Sequence, residues 1–185
     1  METKLKDFLT EKKPVILKRW FDAIMETYPS EAAGFLTGHK DRFTGPLGYT
    51  IHEGIDNLID GLIREAPFED VAPFLESIIK IRAVQDFTAA EAVAFIFQLK
   101  RIVSEELQKK SNAHGAIDAA TLSAFESRID TLALISFDIY MESREKIYDL
   151  KAREVQDHVF RLVQRQNELY ERNGQSPNIE TPNLR

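Results

Sequence analysis

The sequence predicts an all-α protein: a bundle of about six helices that ends in a long C-terminal helix. Three observations lead there. Apolar residues recur at spacings of three and four along most of the chain, the period of a helix with one buried face. Pro and Gly fall mainly between those stretches, at Pro29, Gly34, Gly38, Gly45-Pro46, Pro67 and Pro73. From Asp118 to Tyr170 neither occurs, so roughly fifty residues can continue as one helix, about 75 Å at 1.5 Å per residue and longer than a single domain of this size is wide.

The first helix is expected to start near Pro14, which suits a first turn, and to bury Leu17, Trp20, Phe21, Ile24 and Tyr28. Residues 31–46 read as a connector. From Gly48 onward Ile51, Ile55, Leu58, Ile59 and Leu62 mark one face of a second helix, with Glu53, Asp56, Asp60 and Arg64 on its solvated side. Pro67 and Pro73 fit only near a helix start, which places the next helix from Val71 to Phe74 onward, with Leu75, Ile78, Ile79 and Val84 inward. Thr88-Ala89-Ala90-Glu91 has the spacing of a capping box, in which hydroxyl and carboxylate each satisfy the other residue's backbone N–H. The helix it opens, with AVAFIFQL apolar almost all round, is expected at the buried centre of the bundle. After the breaker SNAHGA, Asp118 can cap the last helix, which packs through Leu122, Phe125, Ile129, Leu132 and Ile139.

Beyond Tyr140 the apolar pattern narrows to Tyr148, Ala152, Val155, Val159, Leu162, Gln166 and Leu169, alternating by four and three. That is the a/d seam of a coiled coil with a polar Gln166 at one a position, and it predicts a homodimer through this helix. The domain reading is therefore a bundle over residues 1–145, a coiled-coil-like extension over 146–172 and a disordered tail over 173–185.

Composition excludes several classes. The chain has 185 residues and no Cys, so it can bury a core without disulfides, lacks thiol chemistry and Cys-ligated metal, and suits the cytoplasm. Its N-terminus, METKLKDFLTEKK, lacks the apolar core of a signal peptide, and no apolar run approaches the ~20 residues of a membrane span. The net charge of −6 arises between Asp41 and Ile78, where acidic residues face only Arg42 and Arg64. No basic stripe offers phosphates a footprint, so no nucleic-acid partner is expected.

Motifs for catalysis are missing. No glutamate has a histidine three residues on, as di-iron bundles require, and there is no His-Glu-x-x-His, P-loop, Rossmann or serine-hydrolase signature. The residues that follow His158, Val159 and Phe160, do not supply the acidic neighbour typical of a phosphorylated histidine, and the chain leaves no room for a nucleotide-binding domain. An enzyme is not expected, nor is a cofactor or metal.

The stretch IRAVQDF, Ile81 to Phe87, holds the best candidates for a binding site. Arg82 and Asp86 stand four apart and can pair across a helix surface; Arg82 and Gln85 can instead face a cavity at a helix corner that takes a small acidic ligand. Tyr49 follows the turn Arg42-Phe43-Thr44-Gly45-Pro46-Leu47-Gly48, where Phe43 and Tyr49 plug the core or an anion docks on exposed N–H groups. His52 lies at the edge of the buried stripe and is the one candidate axial ligand for the rival reading, a haem-type or small-molecule carrier.

The words VILKRWFDAIMETYP, DRFTGPLGYTIHEGIDNLIDGL and IIKIRAVQDFTAAEAVAFIFQLKRIV resemble the N-terminal domain of RsbR/RsbD-type RsbT co-antagonist proteins, from about Leu5 to Tyr140. The resemblance implies a globin-like helical outline and a sensory or regulatory module of stress-response signalling, whose final helix passes a signal to an output domain or partner. It places no catalytic residue. The chain is expected to end after that helix without an output domain, as a stand-alone adaptor. Stand-alone relatives in anaerobes near sulfur-respiration genes imply a protein partner in a signalling or redox complex.

Overall fold

A computed structural model describes residues 3–28, 45–85, 87–109 and 117–174. These form five helices and no strand: α1 Thr3–Met25, α2 Pro46–Arg64, α3 Phe68–Val84, α4 Ala89–Lys109 and α5 Ala119–Arg172. About six were expected; five are present among the described residues. The expected connector over 31–46, apart from Gly45 and Pro46, lies outside the described residues, as do the breaker at 111–116 and the tail beyond Gly174. By its internal contacts the chain divides into two compact units, residues 1–143 and 144–185.

Two helices start earlier than their prolines suggest. Pro14 lies inside α1, because Leu5, Phe8 and Leu9 add buried turns ahead of it. An interior proline costs about 3 kcal/mol; burying each large side chain returns about 1.5–3 kcal/mol, so the longer helix wins. Pro73 likewise lies inside α3, which opens at Phe68 with Glu69 and Asp70 in its first turn, where acidic groups favour the positive end of the helix dipole. Leu75, Ile78 and Ile79 are buried as their spacing predicts, but Val84 is 69% exposed. In α2 all five residues of the expected stripe are buried. Its acidic side is not simply solvated, since Asp56 and Asp60 reach Lys13 of α1 at 2.8 and 2.7 Å.

Helices α2 and α3 approach closely at glycines. A methyl group on Gly61 would come within 2.2 Å of Val71 Cγ1. We expect Gly61→Ala to cost about 1–3 kcal/mol through overpacking, despite the roughly 1 kcal/mol that alanine gains in helix propensity. Adding Val71→Ala removes the clash and should restore part of the loss in urea unfolding. A single variant as stable as the parent would contradict the close approach.

Helix α4 is less enclosed than its apolar run suggests. Phe95, Ile96 and Leu99 are buried, whereas Phe97 is 48% exposed. It is fixed to α1 through Arg19, which bonds Glu105 and, at 2.7 Å, Glu106 Oε1, and to α5 through Lys100 and Asp130 at 2.6 Å. The Glu106 side chain is 5% exposed and also receives Lys109 at 2.6 Å. Hydrogen bonding from Lys109, against the opposing effect of burial and with further help from Arg19, holds its carboxyl below the ordinary 4.5. Stabilisation from this lowered value is present above the unfolded value and is lost as pH falls through the folded one. Stability should therefore decline with acidification below about pH 4.5, and Glu106→Gln should make that decline shallower in urea titrations at stepped pH. Equal slopes would remove Glu106 from the acid response.

Asp118 caps α5, accepting from Thr121 N–H at 3.3 Å. Phe125, Ile129, Leu132 and Tyr140 are buried, while Leu122 and Ile139 are only half-buried. Arg128 secures the α2–α3 corner from α5: its guanidinium donates to the Ala66 carbonyl at 2.6 Å and sits 4.8 Å from the Phe68 ring.

Candidate functional site

The end of α3 and the start of α4 meet at a corner built around Arg82. The capping box forms as its spacing predicts: Thr88 N–H donates to Glu91 at 2.9 Å, and Glu91 N–H donates to Thr88 Oγ1 at 3.3 Å. This fixes where α4 begins and so where Phe87 and Glu91 stand. Arg82, the last basic residue of α3, turns inward and is fully buried. The expected Arg82–Asp86 pair across an exposed surface does not describe Arg82, and Asp86 lies outside the described residues.

The Arg82 guanidinium is held by oxygen atoms and rings. Its Nη1 and Nη2 both donate to Thr27 Oγ1 at 3.1 Å, and Nη2 donates to the Glu91 carbonyl at 3.0 Å. Its central carbon lies 4.1 Å from the Phe87 ring centre, 5.4 Å from Tyr28 and 5.7 Å from Phe95. Phe95 stacks on Trp20, whose Nε1 donates to the Phe95 carbonyl at 2.7 Å. Tyr28 meets Phe87 edge-on at 5.3 Å, and the Tyr140 hydroxyl of α5 donates to the Phe87 carbonyl. One cation thus joins the end of α1, the α3–α4 corner and the first turns of α4, and Phe87 links that cluster to α5.

Burial pulls Arg82 below its ordinary value, opposed by the nearby Tyr28 and Glu91, and it pushes the Tyr28 phenol up against the pull of Arg82. A guanidinium stays charged in such surroundings, and ring faces stabilise it where water is excluded. Arg82 Nε and Tyr28 Oη have no hydrogen-bond partner of good geometry among the described residues. The arrangement can lock three chain segments in one relative position.

The other expected site residues are placed differently. Gln85 forms the C-cap of α3 and is exposed, with its backbone N–H bonded to the Ile81 carbonyl. Tyr49 is half-buried in the first turn of α2, and Phe43 lies outside the described residues. His52 is exposed, not at the edge of the core, and meets Phe21 edge-on at 5.6 Å. Phe21 lies within α1, whereas Thr27 lies in the turn after it, so His52 and Arg82 engage different segments of the chain. An axial haem ligand must reach deep among apolar groups, which exposed His52 does not. A partly open pocket of about 10 Å³, lined by apolar residues including Leu9, Ile59, Leu99 and Phe125, is no larger than one water molecule needs and offers it no polar partner.

Thr27, Tyr28, Phe95 and Tyr140 complete the Arg82 cluster; spacing marks Tyr28 and Phe95 only as buried positions and gives no sign that any of the four meets Arg82 or Phe87. Among the described residues no group of three or more acidic or histidine side chains could hold a metal ion, and no helix is long and apolar enough to cross a membrane.

The seam residues stand on the last part of α5, in the second unit. Tyr148, Val155, Val159, Leu162 and Leu169 are between 41% and 62% exposed, and Ala152 and Gln166 are exposed as well. Leu150 and Phe160 are exposed off this row.

No curated protein and no solved structure gives a significant match to the chain. The family model described as the RsbT co-antagonist protein rsbRD N-terminal domain matches residues 14–155, which is most of the chain and includes every residue of the Arg82 cluster, and the protein belongs to that family.

Proposed function

We propose that the protein is a non-enzymatic regulatory module of cytoplasmic stress signalling, which relays the binding of a ligand or protein partner through α5 in a homodimer. The family description, a co-antagonist of RsbT, supports a regulatory role. The observation that carries the relay is the exposed a/d row from Tyr148 to Leu169, a narrow apolar stripe that a second helix would cover.

Input would act at the Arg82 corner. A ligand shifts an equilibrium only if it binds one arrangement better than another, and here any displacement of Phe87 alters the hydrogen bond from Tyr140 on α5. Gln85, exposed at the C-cap of α3, is the residue of this corner through which an acidic ligand or a partner would approach, and Tyr49 and His52 would form a separate approach on α2.

Mass in solution tests this reading. The full chain should be a dimer by light scattering, and a chain ending at Tyr148 should be a monomer with the same helical content per bundle residue. A monomeric full chain overturns the relay, and a truncated chain that stays dimeric moves the interface off the seam.

A further inference from the structure

We infer that the two copies pair in parallel and in register along α5, an orientation that rests on the proposed homodimer and is set by the charges beside its seam. With Ala152, Val159 and Gln166 at a and Tyr148, Val155, Leu162 and Leu169 at d, the flanking g positions are Arg144, Lys151, His158, Arg165 and Arg172. The e positions over the same stretch are Asp149, Gln156, Val163 and Tyr170, preceded by Glu142. One flank is therefore a basic line and the other is acidic to neutral.

In a parallel pair each g residue faces the e residue five places further along on the second helix. Arg144 then meets Asp149 of the second copy, Lys151 meets Gln156, and Arg165 meets Tyr170, with no cation opposite a cation. An antiparallel pair sets one g line against the other. Either adjacent register then brings Lys151 opposite Arg165 or Arg172 of the second copy, and like charges at this distance oppose association. Gln166 adds to the choice, since in parallel register the two side-chain amides lie in one layer and can bond each other, whereas an antiparallel pair leaves each against an apolar d residue.

The same lettering marks where the seam stops. Met141 and Leu134 continue the d positions at seven-residue intervals and are exposed, but the a positions between are Asp138 and Glu145. In a parallel pair each would face its own copy, acid against acid, so the tight seam begins at Tyr148.

The absence of Cys allows a direct test with single cysteines in the full chain. Tyr148→Cys and Leu169→Cys are prepared separately, since the two positions lie about 31 Å apart along the helix, and oxidised mildly alone and as an equimolar mixture. A parallel pair predicts that each variant alone becomes mostly disulfide-linked dimer, lost on reduction. Crosslinking that needs the mixture, with each variant alone still dimeric in mass, overturns the parallel orientation and leaves the homodimer standing. Failure to crosslink together with monomeric mass overturns both. A dimer that crosslinks in none of the three samples also overturns the inference, because it places the contact away from these d positions.

Discussion

Arg82→Ala is expected to lower the stability of the bundle by about 3–4 kcal/mol, whereas Arg82→Met should stay within about 1 kcal/mol of the parent. Alanine leaves a cavity where the guanidinium sat, strips Thr27 Oγ1 of its two donors and exposes the faces of Phe87, Tyr28 and Phe95 to an empty space. Methionine fills nearly the same volume, makes favourable contacts with aromatic rings and removes the cost of holding a charge away from water. Urea unfolding followed by helical ellipticity reads the difference, which at a typical slope is a midpoint shift of about 1–3 M for alanine. If methionine proves as damaging as alanine, the ring and oxygen contacts stabilise the charge itself. If alanine is tolerated, the buried placement of Arg82 is refuted. A stable Arg82→Met chain also separates folding from signalling, since it keeps the corner packed without its cation.

Trp20→Ala should cost about 3–5 kcal/mol, the range for removing a large buried aromatic side chain. Trp20 is 1% exposed, stacks on Phe95 at 5.9 Å and donates to the Phe95 carbonyl. Trp20→Phe keeps the ring contact and loses the hydrogen bond, so a loss nearer 1 kcal/mol is expected, and this variant remains informative if the alanine chain does not fold. Trp20 and Arg82 act on the same ring. Their substitutions should therefore couple by at least about 0.5 kcal/mol in a double-mutant cycle of Trp20→Phe with Arg82→Met. Strict additivity would show that Phe95 does not transmit between them.

The helical class was legible because it is written in short-range patterns. The α2 stripe, the Thr88–Glu91 box and the Asp118 cap each involve residues within about four positions of one another, where spacing alone fixes which groups can meet. The candidate site was legible only in name. IRAVQDF pointed to Arg82, but its surface pairing was the wrong environment, since its neighbours Thr27 and Tyr28 come from the turn after α1 and Phe95 from α4. His52 misled for a related reason. Its phase on α2 puts it beside the stripe, yet whether that edge is covered depends on how α1 lies against it, and the imidazole is exposed.

By itself the sequence determined an all-helical chain, the buried face of α2 and the start of α4, all consequences of local hydrogen bonding and of a period that repeats every turn. Tertiary structure alone decided that α1 and α3 run on through Pro14 and Pro73, that Lys13 spans to Asp56 and Asp60, and that Arg82 enters a cage of rings. Those outcomes turn on apolar burial and charge desolvation, which are properties of the assembled interior: a proline or a buried cation is unfavourable locally and is kept only because distant residues surround it.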